Sequence, residues 1–275
     1  MKPPRFDYIR ADDVAEIHAA LASYGGDARV IAGGQTLMPM LSMRLVRPKV
    51  LVDIMHVPPL HGIAINGGEV RIGAGVRQAE LLDWPCLPIR LPLLAAALPW
   101  VGHAQTRSRG TVCGSVAHAD PSAEIPLCLV ALGGAVELTS RRRRRRVLAD
   151  AFFTGMMTTE RADHELIEAI VIPEGQPGHG FAFREFGRRH GDFAIAACAA
   201  VCTRDAIRLA VGGVADRPAA RDFPMLEGDA LDDALDVFAW DLDARDDMHA
   251  TARYRRDLVR RMGRAAIEEA LRCRA

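Results

Sequence analysis

The chain has 275 residues, of which 49% are hydrophobic and 25% are charged, as in ordinary globular proteins. Its basic and acidic residues balance at 35 each, so no net charge favours nucleic acid or an anionic membrane as a partner. No apolar run approaches the roughly 20 residues of a membrane-spanning helix, and the first residues lack the apolar stretch of an export signal. The composition therefore predicts a cytoplasmic protein without a membrane span.

The cysteines and histidines do not form a recognisable metal site. The six cysteines contain no C-x-x-C pair and no spacing typical of an iron–sulfur centre, and the nine histidines form no H-E-x-x-H pattern. Cys198 and Cys202 lie four residues apart in an Ala-rich run, where we expect them to be buried as small apolar side chains. We therefore predict neither a metal ion nor a catalytic residue in this chain.

The N-terminal segment alternates helix and strand signals. Asp12 or Asp13 can cap the first helix. The predicted elements are a helix from Val14 to Gly25, a strand at 29–32, a loop at 33–36, a helix ending before Pro48 and a strand at 50–54. Such a βαβ crossover aims the loop's backbone N–H groups outward from the carboxyl end of a strand, where a phosphate can bind.

Mixed helix and strand signals continue through the middle of the chain. The predicted elements are a hairpin around Asn66, a short helix at 76–82, a second glycine-bearing loop at 109–115, a helix ending at Gly133, a strand at 135–140, a helix capped by Asp150 and a strand at 166–172. Asp120 is predicted to cap the helix that ends at Gly133, with Pro121 at its first position and Glu124 in its first turn. The six arginines from Arg141 to Arg146 fall where a hairpin turn belongs.

The C-terminal third reads as a smaller domain. A Gly/Pro-rich stretch at 174–180 is typical of a boundary. Strands are predicted near 181–186, 194–202 and 207–211, and helices follow, the last of them amphipathic and spanning 254–272.

Two short loops can approach an anionic group closely. Gly33 and Gly34 lack side chains, and Thr36 can add a hydroxyl donor. The segment from Thr111 to Ser115 is also small and carries hydroxyl groups at both ends. Neither loop has the G-x-G-x-x-G pattern or the Walker pattern, which argues against a Rossmann nicotinamide site and a P-loop nucleotidase.

The strings that contain these loops resemble a known family. They are Ala-Gly-Gly-Gln-Thr at 32–36, Arg-Gly-Thr-Val-Cys-Gly-Ser-Val-Ala at 109–117, Asp-Pro-Ser-Ala-Glu at 120–124 and Arg-Arg-His-Gly-Asp-Phe-Ala at 188–194. In order and spacing they are similar to the FAD-binding medium subunits of heterotrimeric molybdenum hydroxylases, the carbon monoxide dehydrogenase/xanthine dehydrogenase family. The resemblance spans nearly the whole chain, including the regions of Gly212-Gly213-Val214 and Tyr254-Arg255-Arg256.

The resemblance implies a mixed α/β (α+β) fold of the FAD-binding PCMH type. It has two α/β subdomains, at 1–58 and 59–173, and a C-terminal domain at 174–275 with a three-stranded sheet and helices. The implied FAD-binding residues are Arg29, Val30, Ile31, Ala32, Gly33, Gly34, Gln35, Thr36, Val101, Thr111, Val112, Cys113, Gly114, Ser115, Asp120, Glu124, Ile167, Arg184 and Phe193. Among these, the two loops would hold the pyrophosphate, and Phe193 would lie near the isoalloxazine.

The same resemblance implies a division of labour between subunits. A large subunit would hold the molybdenum cofactor, and a small subunit would carry [2Fe-2S] clusters. Electrons would pass from those clusters to FAD in this chain and then to an external acceptor. The implied assembly is a dimer of heterotrimers.

This sequence departs from the family pattern at three places. Cys113 replaces the first of two glycines in the second loop, which would be costly if the backbone there needed a positive φ angle. Arg184 stands where some relatives have lysine. The run Arg141–Arg146 replaces a mixed polar hairpin, and it is interpreted as a solvated loop tip, with an electrostatic docking patch as the alternative.

Two other functions remain open at the level of sequence. A stand-alone flavin oxidase or dehydrogenase would need a substrate pocket over the flavin, and the residues after Pro173 are few for that purpose. A non-enzymatic anion or RNA binder could use Arg141–Arg146, but no interleaved aromatic residues accompany the run. His103, His118 and His190 lie in or beside the matched strings, where loop packing explains them as well as catalysis does.

Overall fold

The computed structural model describes residues 2–274, so the predicted domain limits at residues 1 and 275 lie outside that range. The chain combines helices with four β-sheets, which confirms the predicted mixed α/β class. Within the described residues, no helix is both long enough and apolar enough to cross a membrane.

The first sheet contains the predicted βαβ unit. Its parallel strands are β1 (Asp7–Arg10), β2 (Ala28–Ile31) and β3 (Val50–Asp53), in the order β1-β3-β2. Helix α1 (Val14–Tyr24) precedes β2, and α2 (Leu37–Ser42) connects β2 to β3. Asp13 caps α1 by accepting a hydrogen bond from the Glu16 amide. Strand β1 was not predicted from the sequence.

The second sheet has five antiparallel strands in the order β4-β5-β10-β6-β7. They are β4 (Ile63–Asn66), β5 (Glu69–Gly73), β6 (Ala135–Thr139), β7 (Arg144–Leu148) and β10 (Leu166–Pro173). A small hairpin of β8 (Phe153–Gly155) and β9 (Thr158–Thr159) lies between β7 and β10 in the chain.

Short helices connect the strands of this second part. They are α3 (Gln78–Leu82), α4 (Leu87–Arg90), α5 (Pro92–Ala97), α6 (Ala104–Arg107), α7 (Val112–His118), α8 (Glu124–Ala131) and α9 (Ala149–Phe152). The predicted start of α8 is wrong by about one turn, because Glu124 is its first residue and Pro121 lies outside it. Asp120 instead accepts a hydrogen bond from the Ser122 amide in the preceding turn.

The C-terminal sheet has four antiparallel strands rather than the predicted three. They are β11 (Gly180–Phe186), β12 (Ala196–Cys202), β13 (Ala206–Gly212) and β14 (Ala219–Pro224), paired in chain order. Strand β14 escaped the sequence analysis because its composition, with two charged residues and a proline, is that of an exposed edge strand. Helices α10 (Gly228–Asp241) and α11 (Ala252–Arg272) follow.

Two apolar cores meet at β12. The first extends through both N-terminal sheets, and the second lies between the C-terminal sheet, α10 and α11. Along β12, Ala197 and Ala199 face the first core, whereas Cys198 and Cys202 face the second. Both cysteines are completely buried, as predicted. Small side chains suit this strand because elements pack closely on both of its faces.

The arginine run is only partly a hairpin tip. Arg141–Arg143 form the turn, but Arg144, Arg145 and Arg146 belong to β7. Their guanidinium groups pair with carboxylates across the sheet: Arg144 with Glu168, Arg145 with Glu160 and Glu165, and Arg146 with Glu69. The interpretation of the whole run as a solvated tip is therefore wrong for its second half.

Candidate functional site

The two glycine-bearing loops lie directly against each other. A Cβ atom on Gly33 would overlap the carbonyl oxygen of Arg109 and would lie 2.7 Å from the Cα atom of Gly110. The next residue, Gly34, has a φ angle of +69°, which glycine adopts without strain. Contact between the loops thus requires glycine at 33, and the turn into α2 favours it at 34.

Hydrogen bonds fix the second loop in place. The carbonyl oxygen of Gly110 accepts a hydrogen bond from the backbone N–H of Gln78 at 2.8 Å. The backbone N–H of Val112 donates to the carbonyl oxygen of Val76 at 3.0 Å. Thr111 caps α7, because its hydroxyl oxygen accepts from the Gly114 amide at 3.0 Å. This segment is therefore the beginning of a helix held by the neighbouring α3 region.

Cys113 fits the second loop without backbone strain. It lies in the first turn of α7 and does not have a positive φ angle, so the substitution for glycine carries no left-handed penalty. Its Sγ atom lies 3.6 Å from the carbonyl oxygen of Ile72. Burial raises the pKa of the thiol to about 12, so Cys113 remains uncharged at neutral pH.

A groove of about 590 Å³ runs along both loops, a size typical of sites for small molecules. Its lining includes both glycine loops and all of the predicted FAD-binding residues except Val112 and Arg184. Val112 is completely buried in α7. Arg184 lies on the face of β11 that packs on α11, where its Nη2 atom is 2.6 Å from a carboxylate oxygen of Glu269.

The groove also contains residues that the sequence analysis did not assign to it. They include Gln78, Thr106, Thr159, Arg161 and Glu165. None of them belongs to a recognisable motif, and they reach the groove from α3, α6 and the β9–β10 region. His118 and Asp192 also line the groove. In the sequence, His118 directly follows the matched string at 109–117, and Asp192 lies within the string at 188–194.

One wall of the groove carries acidic groups. Glu124 is only 5% exposed, and burial, assisted by the charge of Asp120, raises the pKa of its carboxyl to about 7 although Arg107 lies nearby. His118 lies 3.9 Å from Asp120, and its burial lowers the pKa of the imidazole. At neutral pH, Glu124 is therefore partly protonated and can donate a hydrogen bond as well as accept one.

The loop between β11 and β12 forms one end of the groove. Gly191 has a φ angle of +87°, and a Cβ atom there would lie 2.8 Å from the carbonyl oxygen of Gly102. The ring of the neighbouring His190 lies 5.0 Å from that of Trp100. Phe193 follows with 65% of its surface exposed, although it lines the groove. An aromatic ring is thus presented to the groove without being buried.

Glu185 is a half-buried acid whose carboxyl is influenced by the charge of Glu124. One of its carboxylate oxygens is buried without a hydrogen-bond partner among the described residues. Burial and the charge of Glu124 raise the pKa of Glu185 to about 8. The unfolded chain releases this proton near pH 4.5 but the folded chain retains it, so Glu185 makes the protein less stable as pH rises from 4.5 to 8.

We expect Glu185→Gln to stabilise the chain at pH 8 by about 1 to 2 kcal/mol, because an amide removes the cost of a charged group with one buried, unpaired oxygen. At pH 4 the wild type and the variant should have the same free energy of unfolding, since Glu185 is then protonated in the folded chain. Urea unfolding at both pH values measures this, with the exposed Glu227→Gln as a control. Equal effects of Glu185→Gln at the two pH values would contradict the assignment.

The groove fits the chemistry of FAD. Both glycine loops line the groove with few side-chain atoms, as a diphosphate bound close to the backbone requires. The buried Oε1 atom of Gln78 has no partner among the described residues, and this side chain lines the groove. The loop backbone and this free acceptor therefore suit an organic cofactor.

Comparisons with known proteins agree with this geometry. Residues 4–175 match the family model for the FAD-binding domain in molybdopterin dehydrogenase, and residues 181–270 match the carbon monoxide dehydrogenase flavoprotein C-terminal domain. The nicotine 6-hydroxylase medium subunit of Paenarthrobacter nicotinovorans is 38% identical, covering 98% of this chain and 99% of that protein. The carbon monoxide dehydrogenase medium chain of Afipia carboxidovorans is 35% identical over 98% of each.

A solved structure shows the same fold. It is that of carbon monoxide dehydrogenase from Hydrogenophaga pseudoflava lacking the Mo-pyranopterin moiety of the cofactor, with a TM-score of 0.95, 32% identity and full coverage of both chains. The two family models together span both the groove and the C-terminal sheet. This chain therefore belongs to the family of FAD-binding medium subunits of molybdenum hydroxylases.

Proposed function

We propose that this chain binds one FAD in the groove and carries electrons between partner subunits and an external acceptor. The backbone of the two glycine loops would hold the diphosphate, and Phe193 would flank the isoalloxazine. Asp120, Glu124 and the backbone of Ile167 would bind the other polar parts. The observation that carries the proposal is the contact of Gly33 with the second loop, which builds one cradle from two distant segments.

The electrons would come from [2Fe-2S] clusters in a small subunit, and a large subunit would oxidise the substrate at a molybdenum cofactor. Such partners agree with the names of relatives, which are subunits of multi-subunit dehydrogenases and hydroxylases. We further propose a cytoplasmic dimer of heterotrimers, and the division of this chain into domains at 1–58, 59–173 and 174–275. FAD supplies the redox chemistry, and this chain orients it.

The residues of this chain would bind and orient the cofactor rather than take part in the chemical reaction. Thr111 and the hydrogen bonds of Gly110 hold the second loop rigid before any ligand arrives. The partly protonated Glu124 can adapt its hydrogen bond to a donor or an acceptor on the ligand. Phe193, exposed in the isolated chain, provides an apolar surface that can exclude water from a bound ring.

The test is the stoichiometry of flavin in the purified chain. We expect FAD near one per chain, measured by absorbance after heat release, and recovery of iron–sulfur and molybdenum subunits when the complex is isolated from its source. A chain that takes up no added FAD, either alone or with its partner subunits, would overturn the proposal.

The two other functions are less well supported. For an RNA or anion binder, half of the arginine run is already paired with glutamates, two in strands of the same sheet and one in the segment before β10. Binding through the remaining tip should weaken steeply with salt, whereas FAD held by backbone should not. A stand-alone oxidase would have to turn over a substrate without partner subunits, which steady-state assays of the isolated chain can detect.

A further inference from the structure

Arg161 is a cation in the groove wall that belongs to none of the motifs. It lies between β9 and β10, lines the groove, and has a side chain that is 23% exposed. Its neighbour in the wall is Arg29, whose guanidinium donates to the carbonyl oxygens of Gly26 and Ala28. Two guanidinium groups therefore share one region of the groove.

The guanidinium of Arg161 is held in one orientation. Its Nη1 atom donates to the carbonyl oxygens of Ala162 at 2.9 Å, Asp163 at 3.3 Å and Glu165 at 2.7 Å. Its Nε and Nη2 atoms make no hydrogen bond to any described residue, and Nη2 lies 4.0 Å from the Asp163 carboxylate. One edge of the group is thus anchored, while its other donors have no hydrogen-bond partner among the described residues.

The nearby carboxylates offset only part of the positive charge of this region. The Glu165 carboxylate is already paired with Arg145, and Asp163 is more than half exposed. Burial lowers the pKa of Arg161, and the charge of Arg29 also lowers it, whereas the carboxylates of Asp163 and Glu165 raise it. Holding two such cations together is unfavourable without a ligand, which indicates a partner that is anionic or electron-rich.

Contacts along the groove show which part of a ligand would meet Arg161. Arg29 lies four residues before Gly33 along β2 and its extension, or roughly 13 Å at strand spacing. Gly33 touches the second loop, α6 connects that loop to Gly102, and Gly102 touches Gly191 next to the segment of Phe193. The glycine loops therefore lie between the arginines and the aromatic end.

We propose that Arg161 recognises the adenosine half of the dinucleotide and selects FAD over flavins that lack it. This inference rests on the proposed function, in which the diphosphate lies at the glycine loops and the isoalloxazine near Phe193. The remaining end of FAD is adenosine, a planar purine with ring-nitrogen acceptors joined to a ribose. A fixed, planar guanidinium can stack on such a ring and donate to its acceptors or hydroxyls.

The experiment compares three ligands on the full chain freed of flavin. FAD and FMN are titrated by flavin fluorescence, and ADP is measured as a competitor of FAD. In Arg161→Leu, we expect the affinities for FAD and ADP each to fall about tenfold, as for loss of one contact from a charged group, and the affinity for FMN to stay unchanged. Arg161→Lys should recover only part of the loss, because an ammonium group is not planar.

The control is Arg142→Leu, which removes an arginine from the exposed hairpin tip. It should bind all three ligands like the wild type. Thermal melting of the flavin-free variants shows whether Arg161→Leu remains folded. Unchanged ADP binding in a folded variant, or an equal loss for FMN, would overturn the role of Arg161. Failure of the wild type to bind FAD would instead overturn the proposed function itself.

Discussion

Gly33→Ala should abolish FAD binding, with a loss of affinity of at least about 100-fold. The added methyl group would overlap the carbonyl oxygen of Arg109 and press on Gly110, and both obstacles are backbone. Backbone cannot rotate away as a flexible side chain can, so the two loops must separate. The diphosphate cradle would then lose its shape. Flavin stoichiometry and FAD titration of the purified variant measure the effect.

The matched control for this substitution is Gly62→Ala. An added Cβ atom at Gly62 would meet no other atom within 4 Å, and the residue has no positive φ angle, so alanine should be tolerated. The variant should bind FAD like the wild type and melt within a few degrees of it. If Gly33→Ala retained FAD at wild-type affinity, the contact between the loops would not be what forms the site.

Arg255→Met should destabilise the chain by about 2 to 4 kcal/mol, because two buried backbone carbonyl oxygens would lose their charged hydrogen-bond donor. Arg255 is 2% exposed on α11 and donates to the carbonyl oxygens of Ile195 at 2.5 Å and Gly213 at 2.6 Å. It also donates to the Asp247 carboxylate at 2.5 Å. This one side chain thus ties α11 to the strand ends behind the loop that carries Phe193.

The effect of Arg255→Met should depend on pH through Asp247. Burial alone would raise the pKa of this carboxyl, but hydrogen bonds from two backbone amides and from Arg255 lower it to about 2. The unfolded value is near 4, so the stabilisation is complete above pH 4 and is lost as pH falls towards 2. The difference in free energy of unfolding between wild type and variant, measured with urea, should therefore decrease below pH 4.

Arg253→Met provides the control on the same helix, because Arg253 is exposed and forms no ion pair with a described residue. Its free energy of unfolding should equal that of the wild type at every pH. A variant of Arg255 that lost stability equally at pH 7 and pH 2.5 would show that Asp247 does not contribute through this pair. Loss of FAD in a still-folded Arg255→Met would show that the helix also positions the Phe193 segment.

Much of the site could be predicted because its residues are adjacent in the sequence. The first loop follows a strand and precedes a helix, and local periodicity and glycine spacing reveal both. Small residues and hydroxyl groups reveal the second loop in the same way, whereas the cofactor-binding roles of Asp120 and Glu124 came only from the resemblance to a family. The N-terminal βαβ unit, the hairpin around Asn66 and the amphipathic helix α11 all follow from patterns of a few residues.

Other features of the structure depend on which face of a strand packs against which helix or strand. Arg184 and Glu185 are adjacent in β11, yet the pleat sends Arg184 to α11 and Glu185 towards the acidic wall of the groove. The arginine run has the composition of a loop, but β7 places half of it beside glutamates of β5, β10 and the segment before β10. No local pattern reveals such pairs, because the partners are distant in the sequence.

The sequence alone determined the mixed α/β class, the two glycine loops and the family to which they point, because these depend on local backbone requirements and short spacings. Only the tertiary structure decided that Gly33 touches Arg109, that Cys113 sits in a helix without strain, and that Arg161 enters the groove. Those facts depend on how separate segments pack, and packing is a property of the whole chain.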